Sequence, residues 1–326
     1  MSGPRWTDAA VTVRAPATSA NLGPGFDALG LALTLHDTVT AQIIGGGLAI
    51  EVTGYGEETQ DAGEAHLVIR AMRAAFEAAG AQPPGLAISC RNMIPHGFGL
   101  GSSAAAIVAG LVAARALISP GGPGSGDGPA APGGPLDEAG LLRLASELEG
   151  HPDNVAACLS GGLTIAWLTA AGEDPAVLVP RAVRLAPRPG LAPVLCVPLK
   201  PVSTSVARQA LPASVPHADA AQNSARAALL IAALTGAADA LLEATEDYLH
   251  QRYRAGAMPG TAALIGALRA AGVPAVVSGA GPAVLALTVA GQLPGADEVA
   301  AIADGQPEQW QVLPLAADLT GATVLS

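Results

Sequence analysis

The segment from Pro95 to Ala106, Pro-His-Gly-Phe-Gly-Leu-Gly-Ser-Ser-Ala-Ala-Ala, has the residue types of a phosphate-binding loop. Its three glycines let the backbone approach an anion closely. The serines and alanines that follow predict a helix whose first N–H groups would face phosphate oxygens. A Walker A loop also needs a lysine before its Ser or Thr, but the chain's only lysine is Lys200. The common P-loop is therefore excluded. A dinucleotide fingerprint is poorly supported, because residue 104 is alanine where that pattern needs glycine.

Two further polar segments could face a ligand. Residues 21–27 place Asn21 and Asp27 at either end of a glycine-rich turn, where stabilising the turn itself is the alternative role. Residues 151–154 bring an imidazole, a carboxylate and a carboxamide to a predicted helix start. Capping that helix is the alternative role for Asp153 or Asn154.

Arginines and a second glycine turn follow later in the chain. The segments 203–208 and 247–254 carry arginines, whose planar guanidinium suits bidentate binding of a carboxylate, although exposed structural arginines are common. Residues 278–282, Ser-Gly-Ala-Gly-Pro, form a glycine turn between two predicted strands, and an ordinary hairpin is the alternative. Each of these segments lies at the end of an apolar element. Together their side chains and glycine turns supply partners for an anion, an amine and a hydroxyl.

Apolar patterning predicts an α+β chain, and its length fits two domains or one elaborate domain. The predicted strands are 11–14, 29–35, 39–44, 48–52, 86–90, 163–168, 194–197, 275–278, 284–289 and 310–313. The predicted helices are 67–79, 104–118, 136–148, one from about 153, 203–211, 217–234, 237–242, 261–271 and 297–303. Residues 119–135 are rich in proline and glycine and predict a flexible surface excursion between two helices.

Composition excludes several classes of protein. A chain of 326 residues is long enough for two cores. The net charge of −11 argues against a nucleic-acid or anionic-membrane binder. Three widely spaced cysteines fit reduced, inert thiols. No segment has the pattern of a signal peptide or membrane span, so a cytoplasmic protein is expected.

These residues resemble the GHMP small-molecule kinases and, within them, the branch that acts on homoserine. The matching motifs are Ala-Pro-Ala-Thr-Ser-Ala-Asn-Leu-Gly-Pro-Gly-Phe-Asp at 15–27, Pro-x-x-x-Gly-Leu-Gly-Ser-Ser-Ala-Ala at 95–105, Glu-Gly-His-Pro-Asp-Asn-Val-Ala at 149–156 and Ser-Gly-Ala-Gly-Pro at 278–282. They occur in the family's order along nearly the whole chain. The resemblance implies a mixed-sheet nucleotide-binding domain at 1–168 and a ferredoxin-like α/β-plait domain at 169–326, with the active site in the cleft between them.

The resemblance also implies an ATP site with magnesium. Ser103 and Glu149 are the implied metal ligands, with Glu147 as the alternative to Glu149. His66 stands where the family usually has asparagine, at a position associated with the adenine pocket. The turn at 278–282 would support the phosphate loop from below. The implied ATP-binding residues are Pro95, His96, Gly97, Phe98, Gly99, Leu100, Gly101, Ser102, Ser103, Ala104, Ala105 and His66.

The acceptor implied by the resemblance is L-homoserine, and the family's members are often homodimers. Asn154 would orient the acceptor hydroxyl, because a carboxamide cannot take up its proton. His151 would bind substrate, with a role as base as the alternative. Arg208 and Arg254 would hold the carboxylate, with Arg252 as the alternative to Arg254. The implied substrate-binding residues are Asn21, Asp27, His151, Asp153, Asn154, Arg208 and Arg254, and the implied catalytic residues are Asn154, His151 and Arg208. Another alcohol kinase, or a nucleotide-binding protein without turnover, remains an alternative function.

Overall fold

A computed structural model describes residues 5–119, 130–171, 174–199, 210–291 and 294–325. Most of its strands belong to two sheets, one of seven strands and one of four, and helices pack against both. The predicted helix at 203–211 falls largely outside these ranges, as does most of the Pro/Gly-rich segment 119–135.

The seven-stranded sheet is built around one long strand. β3 pairs through Thr38–Ile43 with β5 and through Leu29–Leu31 with β7, so a single strand serves both halves of the sheet. All its pairs are antiparallel except β4 with β5, which makes the sheet mixed, as predicted. A bulge interrupts the β2–β3 pairing between Pro16 and Ala17, just before the residues that approach the site. The strands of this sheet are β2 Val11–Ala20, β3 Leu29–Ile43, β4 Gly47–Gly54, β5 Gly85–Asn92, β7 Leu163–Ala171, β8 Asp174–Leu185 and β13 Thr323–Leu325.

Four helices accompany this sheet: α1 Leu67–Ala78, α2 Ser102–Leu117, α3 Glu138–Glu149 and α4 Asp153–Ser160. The α2 helix is buried along most of its length because its residues are small or branched, as the sequence predicts. It carries the phosphate loop at its N-terminus. The α4 helix packs against α2, β2 and β7, and its first residues carry the polar side chains of the 151–154 motif. A short pair of strands, β1 Arg5–Trp6 and β6 Ile118–Ser119, and a 3-10 segment at Glu57–Ala65 complete this lobe.

The second sheet is antiparallel, in the order β10-β11-β9-β12. With β9 first in the chain this is the strand order of a ferredoxin-like plait, and it confirms the predicted class of the second lobe. Its strands are β9 Leu191–Pro198, β10 Ala275–Val277, β11 Val284–Val289 and β12 Trp310–Pro314. Its helices are α5 His217–Thr235, α6 Leu241–Ala244, α7 Gln251–Arg254, α8 Pro259–Ala270 and α9 Ala296–Asp304, with a 3-10 turn at Ala238–Ala240.

Several element predictions are corrected by the structure. The predicted strands 29–35 and 39–44 are one strand, β3, and the predicted strand 11–14 extends to Ala20. Neither β8 nor β13 was predicted, and both join the first sheet although they follow residue 168. The predicted helix at 237–242 is a 3-10 turn followed by the short α6.

The three cysteines are buried and form no disulfide, as expected for reduced thiols. Burial raises the pKa of Cys90 and of Cys196 to about 12, so neither thiol is reactive near neutral pH. Among the helices of the described ranges, none is both long and apolar enough to cross a bilayer.

Candidate active site

A cavity of about 500 Å³ lies where the two lobes meet. Five of the predicted segments contribute to it: the 21–27 turn, the phosphate loop, the 149–154 motif, the 247–254 segment through Arg254, and the 278–282 turn. They come from widely separated parts of the chain, so only the tertiary fold brings them together. The lining residues are Asn21, Asp27, Gly97, Gly99, Leu100, Gly101, Ser102, Ser103, Glu149, His151, Asp153, Asn154, Arg254, Gly279 and Ala280.

The phosphate loop runs along one wall of this cavity. Gly97, Gly99 and Gly101 have φ angles of 80°, 78° and 66°, a left-handed conformation that favours glycine. A Cβ at Gly101 would overlap the Thr18 hydroxyl, so this glycine is also required for space. The α2 helix starts at the next residue, Ser102, and its first N–H groups have no partner within the helix. The wall therefore combines open N–H donors with the positive end of a helix dipole, which suits phosphate.

The 278–282 turn of the second lobe supports this loop. The Ser278 hydroxyl lies 2.7 Å from the Gly99 carbonyl oxygen and 2.9 Å from the Ser19 hydroxyl. The Ala283 N–H donates to the Phe98 carbonyl at 3.2 Å. The predicted support of the phosphate loop by this turn is thus present as direct hydrogen bonds between the lobes.

Ser103 and Glu149 meet at the edge of the phosphate loop. The serine hydroxyl donates to the glutamate carboxylate at 2.6 Å. Glu147, the alternative from the sequence, instead pairs with Arg143 at 3.0 Å and does not line the cavity. A hydroxyl and a carboxylate are oxygen ligands of the kind Mg²⁺ prefers, and Mg²⁺ usually takes one or two carboxylates with phosphates and water completing its shell. These two residues therefore fit a magnesium ion bound together with a nucleotide.

The start of α4 forms another part of the cavity wall. Asp153 is buried, and its Oδ1 lies 2.6 Å from His151 Nδ1 and accepts the Asn154 backbone N–H at 2.7 Å. The Asn154 carboxamide oxygen accepts a hydrogen bond from the Thr18 hydroxyl at 2.8 Å. Because the oxygen is used in this way, the Asn154 NH₂ group is turned to act as a donor. It can hold an oxygen of the acceptor but cannot take its proton.

The 21–27 turn and Arg254 close the third side of the cavity. Asn21, Leu22 and Asp27 all have positive φ, which is uncommon for residues other than glycine and is found mainly at functional sites. Asn21 is held on both sides: its Nδ2 donates to the Gly279 carbonyl at 2.7 Å, and its Oδ1 accepts the Asp27 N–H at 2.9 Å.

Arg254, not Arg252, faces this cavity. The Arg254 side chain is buried, with Nη1 3.4 Å from the Gly279 carbonyl and its guanidinium carbon 5.6 Å from the centre of the Phe26 ring. Arg252 is 44% exposed and pairs with Asp219 and the Tyr253 hydroxyl. A buried guanidinium in a polar cavity suits an anionic group of a ligand better than an exposed guanidinium does.

Some predicted site residues lie elsewhere. Arg208 falls outside the described residues. His66 precedes α1, and within the described chain its Nδ1 is buried without a hydrogen-bond partner. Burial lowers the pKa of His66, so it is neutral near pH 7. Its assignment to the adenine pocket stays a prediction. The predicted ATP-binding residues that do not line the cavity are His66, Pro95, His96, Phe98, Ala104 and Ala105.

Comparison with known proteins identifies the family of this arrangement. Residues 66–162 match the GHMP kinases N terminal domain, and residues 225–309 match the GHMP kinases C terminal model. A homoserine kinase of Streptomyces coelicolor is 53% identical over 325 residues, covering 100% of this chain and 97% of that protein. The chain belongs to the GHMP kinase family.

The fold of this GHMP kinase agrees with solved relatives. A crystal structure of homoserine kinase from Cytophaga hutchinsonii superposes with a TM-score of 0.78 at 26% identity, covering 100% of both chains. A structure of a putative homoserine kinase from Listeria monocytogenes gives 0.70 at 28% identity, covering 97% of this chain and 99% of the other. The two-domain fold predicted from the sequence is thereby confirmed.

Two polar residues that contact the lining of the candidate site, Thr18 and His250, are not indicated by the sequence motifs. Thr18 lies within the 15–27 motif, but nothing in that motif shows that its hydroxyl reaches Asn154. His250 lies in the 247–254 segment, where only the arginines were considered. Both are fully buried polar side chains, and buried polar groups almost always have a hydrogen-bond partner. A buried polar residue inside a family motif is the signal that could have drawn attention to Thr18.

Proposed function

We propose that this protein transfers the γ-phosphoryl group of ATP to the side-chain hydroxyl of L-homoserine, giving O-phospho-L-homoserine and ADP. The full-length similarity to homoserine kinases supports this reaction. One observation carries it in the structure: a phosphate loop, a buried arginine and Asn154 line the same cavity. Such a cavity can hold a nucleotide triphosphate and a small carboxylate together. We further propose that the product feeds threonine biosynthesis.

The side chains divide into those for the nucleotide and those for the amino acid. The α2 N-terminus and the loop N–H groups would bind the β- and γ-phosphates. Arg254 would bind the carboxylate of homoserine, and the carboxylates of Asp27 and Asp153 suit its ammonium group. Binding both substrates in one cavity holds the hydroxyl near the γ-phosphorus, which is a large part of catalysis in reactions of this kind.

In the proposed step, the homoserine oxygen forms a bond to the γ-phosphorus while the bond from that phosphorus to the bridging oxygen of ADP breaks. ADP leaves with the electron pair, and the hydroxyl proton passes to a phosphate oxygen or to solvent. Because the transition state is loose, little removal of the proton is needed before the bond forms. The Asn154 NH₂ would therefore orient the hydroxyl without acting as a base. Magnesium held by Ser103 and Glu149 would neutralise phosphate charge.

An ADP-release assay with Mg-ATP tests this function. We expect activity with L-homoserine and little with L-serine, L-threonine or mevalonate, and a phosphomonoester product in phosphorus NMR. Arg254→Ala should raise the KM for L-homoserine about 100-fold, since it removes hydrogen bonds to a charged group worth about 3 kcal/mol. Arg252→Ala is a matched control that removes an arginine two residues away, and its KM should stay near that of the wild type. ATP binding without phosphoryl transfer to any of these alcohols would refute the proposal.

A further inference from the structure

His250 is a fully buried histidine that contacts the proposed carboxylate site without lining its cavity. Its Nε2 lies 2.9 Å from the carbonyl oxygen of Gly23, in the turn that carries Asn21 and Asp27. Its Nδ1 lies 3.2 Å from Nη1 of Arg254. One imidazole ring thus joins the 21–27 turn to the arginine that faces the cavity. Gly23 and His250 are 227 residues apart in the chain.

The two partners fix the state of the ring. A carbonyl oxygen can only accept, so Nε2 must carry a hydrogen. An arginine can only donate, so Nδ1 must be the unprotonated nitrogen. Both contacts are satisfied together only by the neutral ring with its hydrogen on Nε2. An imidazolium would direct an N–H at the guanidinium and place a second positive charge beside it.

The Phe26 ring packs against both His250 and Arg254. The Phe26 ring lies over His250 with centroids 5.0 Å apart and planes inclined by 27°. The Arg254 guanidinium lies over the same Phe26 ring. Phe26 belongs to the 21–27 turn, so this turn, His250 and Arg254 form one packed unit.

We propose that His250 is a positioning residue for substrate selection. As a neutral acceptor it holds Arg254 where its guanidinium binds the α-carboxylate of the amino-acid substrate. Through its bond to Gly23 it also fixes the 21–27 turn relative to that arginine. The proposal rests on the proposed function, because the ligand of Arg254 is taken to be the substrate carboxylate. His250 itself does not touch the substrate. It acts through Arg254, as the outer partners of functional side chains commonly do.

The same geometry predicts a pH effect. Among the described residues, the charged groups that act on the ring are Asp247, whose Oδ1 is 3.7 Å from Nε2, and Arg254. The 21–27 turn presents the Phe26 ring and the Gly23 carbonyl, neither of which titrates. Burial, opposed by Asp247 and assisted by Arg254, lowers the pKa of His250. Wild-type KM for homoserine should therefore be flat near neutral pH and rise in acid, as protonation removes the acceptor for Arg254.

Two substitutions separate the two contacts. His250→Gln places an amide NH₂ near the position of Nε2, so it can still donate to Gly23 but offers Arg254 no acceptor at the position of Nδ1. His250→Asn places an amide oxygen near Nδ1, so it can still accept from Arg254. We expect the KM for L-homoserine to rise about tenfold or more in His250→Gln, as for loss of a hydrogen bond to a charged group. We expect His250→Asn to stay within about threefold of wild type, and the KM for ATP to be unchanged in both.

L-Homoserine amide gives the decisive comparison, because its carboxylate is neutralised. With this substrate, His250→Gln and the wild type should have the same kcat/KM within about twofold, since no carboxylate remains for Arg254 to select. The rise in KM at acid pH should be absent from His250→Asn, because asparagine does not titrate. The pH profile of the wild type tests the assignment by itself if a variant folds poorly.

Two results would overturn the assignment while leaving the proposed function intact: an active wild-type enzyme whose KM for L-homoserine is unchanged by His250→Gln, or an equal loss with the amide. A wild type that binds ATP but does not phosphorylate L-homoserine would refute the proposed function itself, and the assignment with it.

Discussion

Replacing Thr18 by valine removes its hydrogen bond to Asn154, a residue that lines the candidate site, and almost no volume. The Thr18 hydroxyl donates to the Asn154 carboxamide oxygen at 2.8 Å, and both residues are buried. The Thr18 backbone N–H donates to the Leu100 carbonyl at 3.0 Å, a contact that valine keeps. Valine also suits the strand in which Thr18 lies. The substitution therefore tests the hydroxyl alone.

The expected cost follows from what the hydroxyl does. Without it, the Asn154 oxygen is buried beside a methyl group, and the amide loses the contact that, in the proposed function, orients its NH₂ for the acceptor hydroxyl. An unsatisfied buried acceptor costs about 1–3 kcal/mol. If that cost is paid mainly in the transition state, kcat should fall by about 5- to 150-fold. The KM for ATP should change little, because valine keeps the Thr18 N–H bond to the Leu100 carbonyl of the phosphate loop.

Steady-state kinetics of Thr18→Val beside Thr18→Ser provide the assay. Serine keeps the hydroxyl, so its kcat should recover to within about threefold of wild type. Adding Asn154→Ala to Thr18→Val should cost little more than Asn154→Ala alone, because the two residues share one interaction. The reasoning is refuted if Thr18→Val retains wild-type kcat, or if Thr18→Ser loses as much as Thr18→Val while both keep the thermal midpoint of the wild type.

Two further substitutions test a glycine of the phosphate loop and a buried carboxylate in β3. Gly101→Ala should weaken nucleotide binding at least tenfold in calorimetric titration, since φ is +66° and a Cβ would overlap the Thr18 hydroxyl. Gly80→Ala is the control: its φ is +77° but the space around it is open, so this variant should lose stability without a change in nucleotide binding. Burial raises the pKa of Asp37 from 3.8 to about 6, so the folded state binds an extra proton between these pH values and the free energy of unfolding should fall by roughly 2–3 kcal/mol as pH rises through them. Asp37→Asn should lack this slope in denaturant unfolding at pH 4 to 7, and parallel profiles for the two proteins would contradict the reasoning.

The sequence predicted elements well where local pattern and tertiary structure agree, and poorly where contacts distant in sequence decide. The helix α1 follows from its apolar spacing, and its observed end lies one residue from the predicted one. The strand β3 was divided because His36 and Asp37 interrupt its apolar pattern. In the fold, Asp318 pairs with His36 at 2.6 Å, and the N–H groups of Met93 and Ile94 donate to Asp37. These partners let two polar residues lie within a continuous strand.

The missed strand β8 has a different cause. It lies at the edge of the sheet, pairs only with β7, and contains Pro175 and Pro180. Proline cannot donate to a ladder and is confined to edges, so the local sequence argues against a strand that the β7 hairpin nevertheless imposes. Strand β13, which the sequence also does not predict, has only three residues and pairs only with β2.

The site was predicted as a set of motifs, but its choices depend on burial. Sequence alone could not decide between Glu147 and Glu149, or between Arg252 and Arg254, because each pair has the same chemistry two residues apart. In the structure one member of each pair lines the cavity, and the other forms an ion pair away from it, Glu147 with Arg143 and Arg252 with Asp219. Two residues on a helix or turn point in different directions, so a shift of two decides which is functional.

The contacts between the lobes explain why the two halves of the reaction depend on one turn. Gly279 accepts from Asn21 at 2.7 Å and from Arg254 at 3.4 Å, on the amino-acid side. Its neighbour Ser278 donates to the Gly99 carbonyl, on the phosphate side. A shift of this turn would therefore move the carboxylate site and the phosphate loop together, and would change the distance between them less than a shift of either alone. In-line transfer depends on that distance, so in the proposed reaction the turn in the second lobe would hold the two substrate sites at a fixed separation.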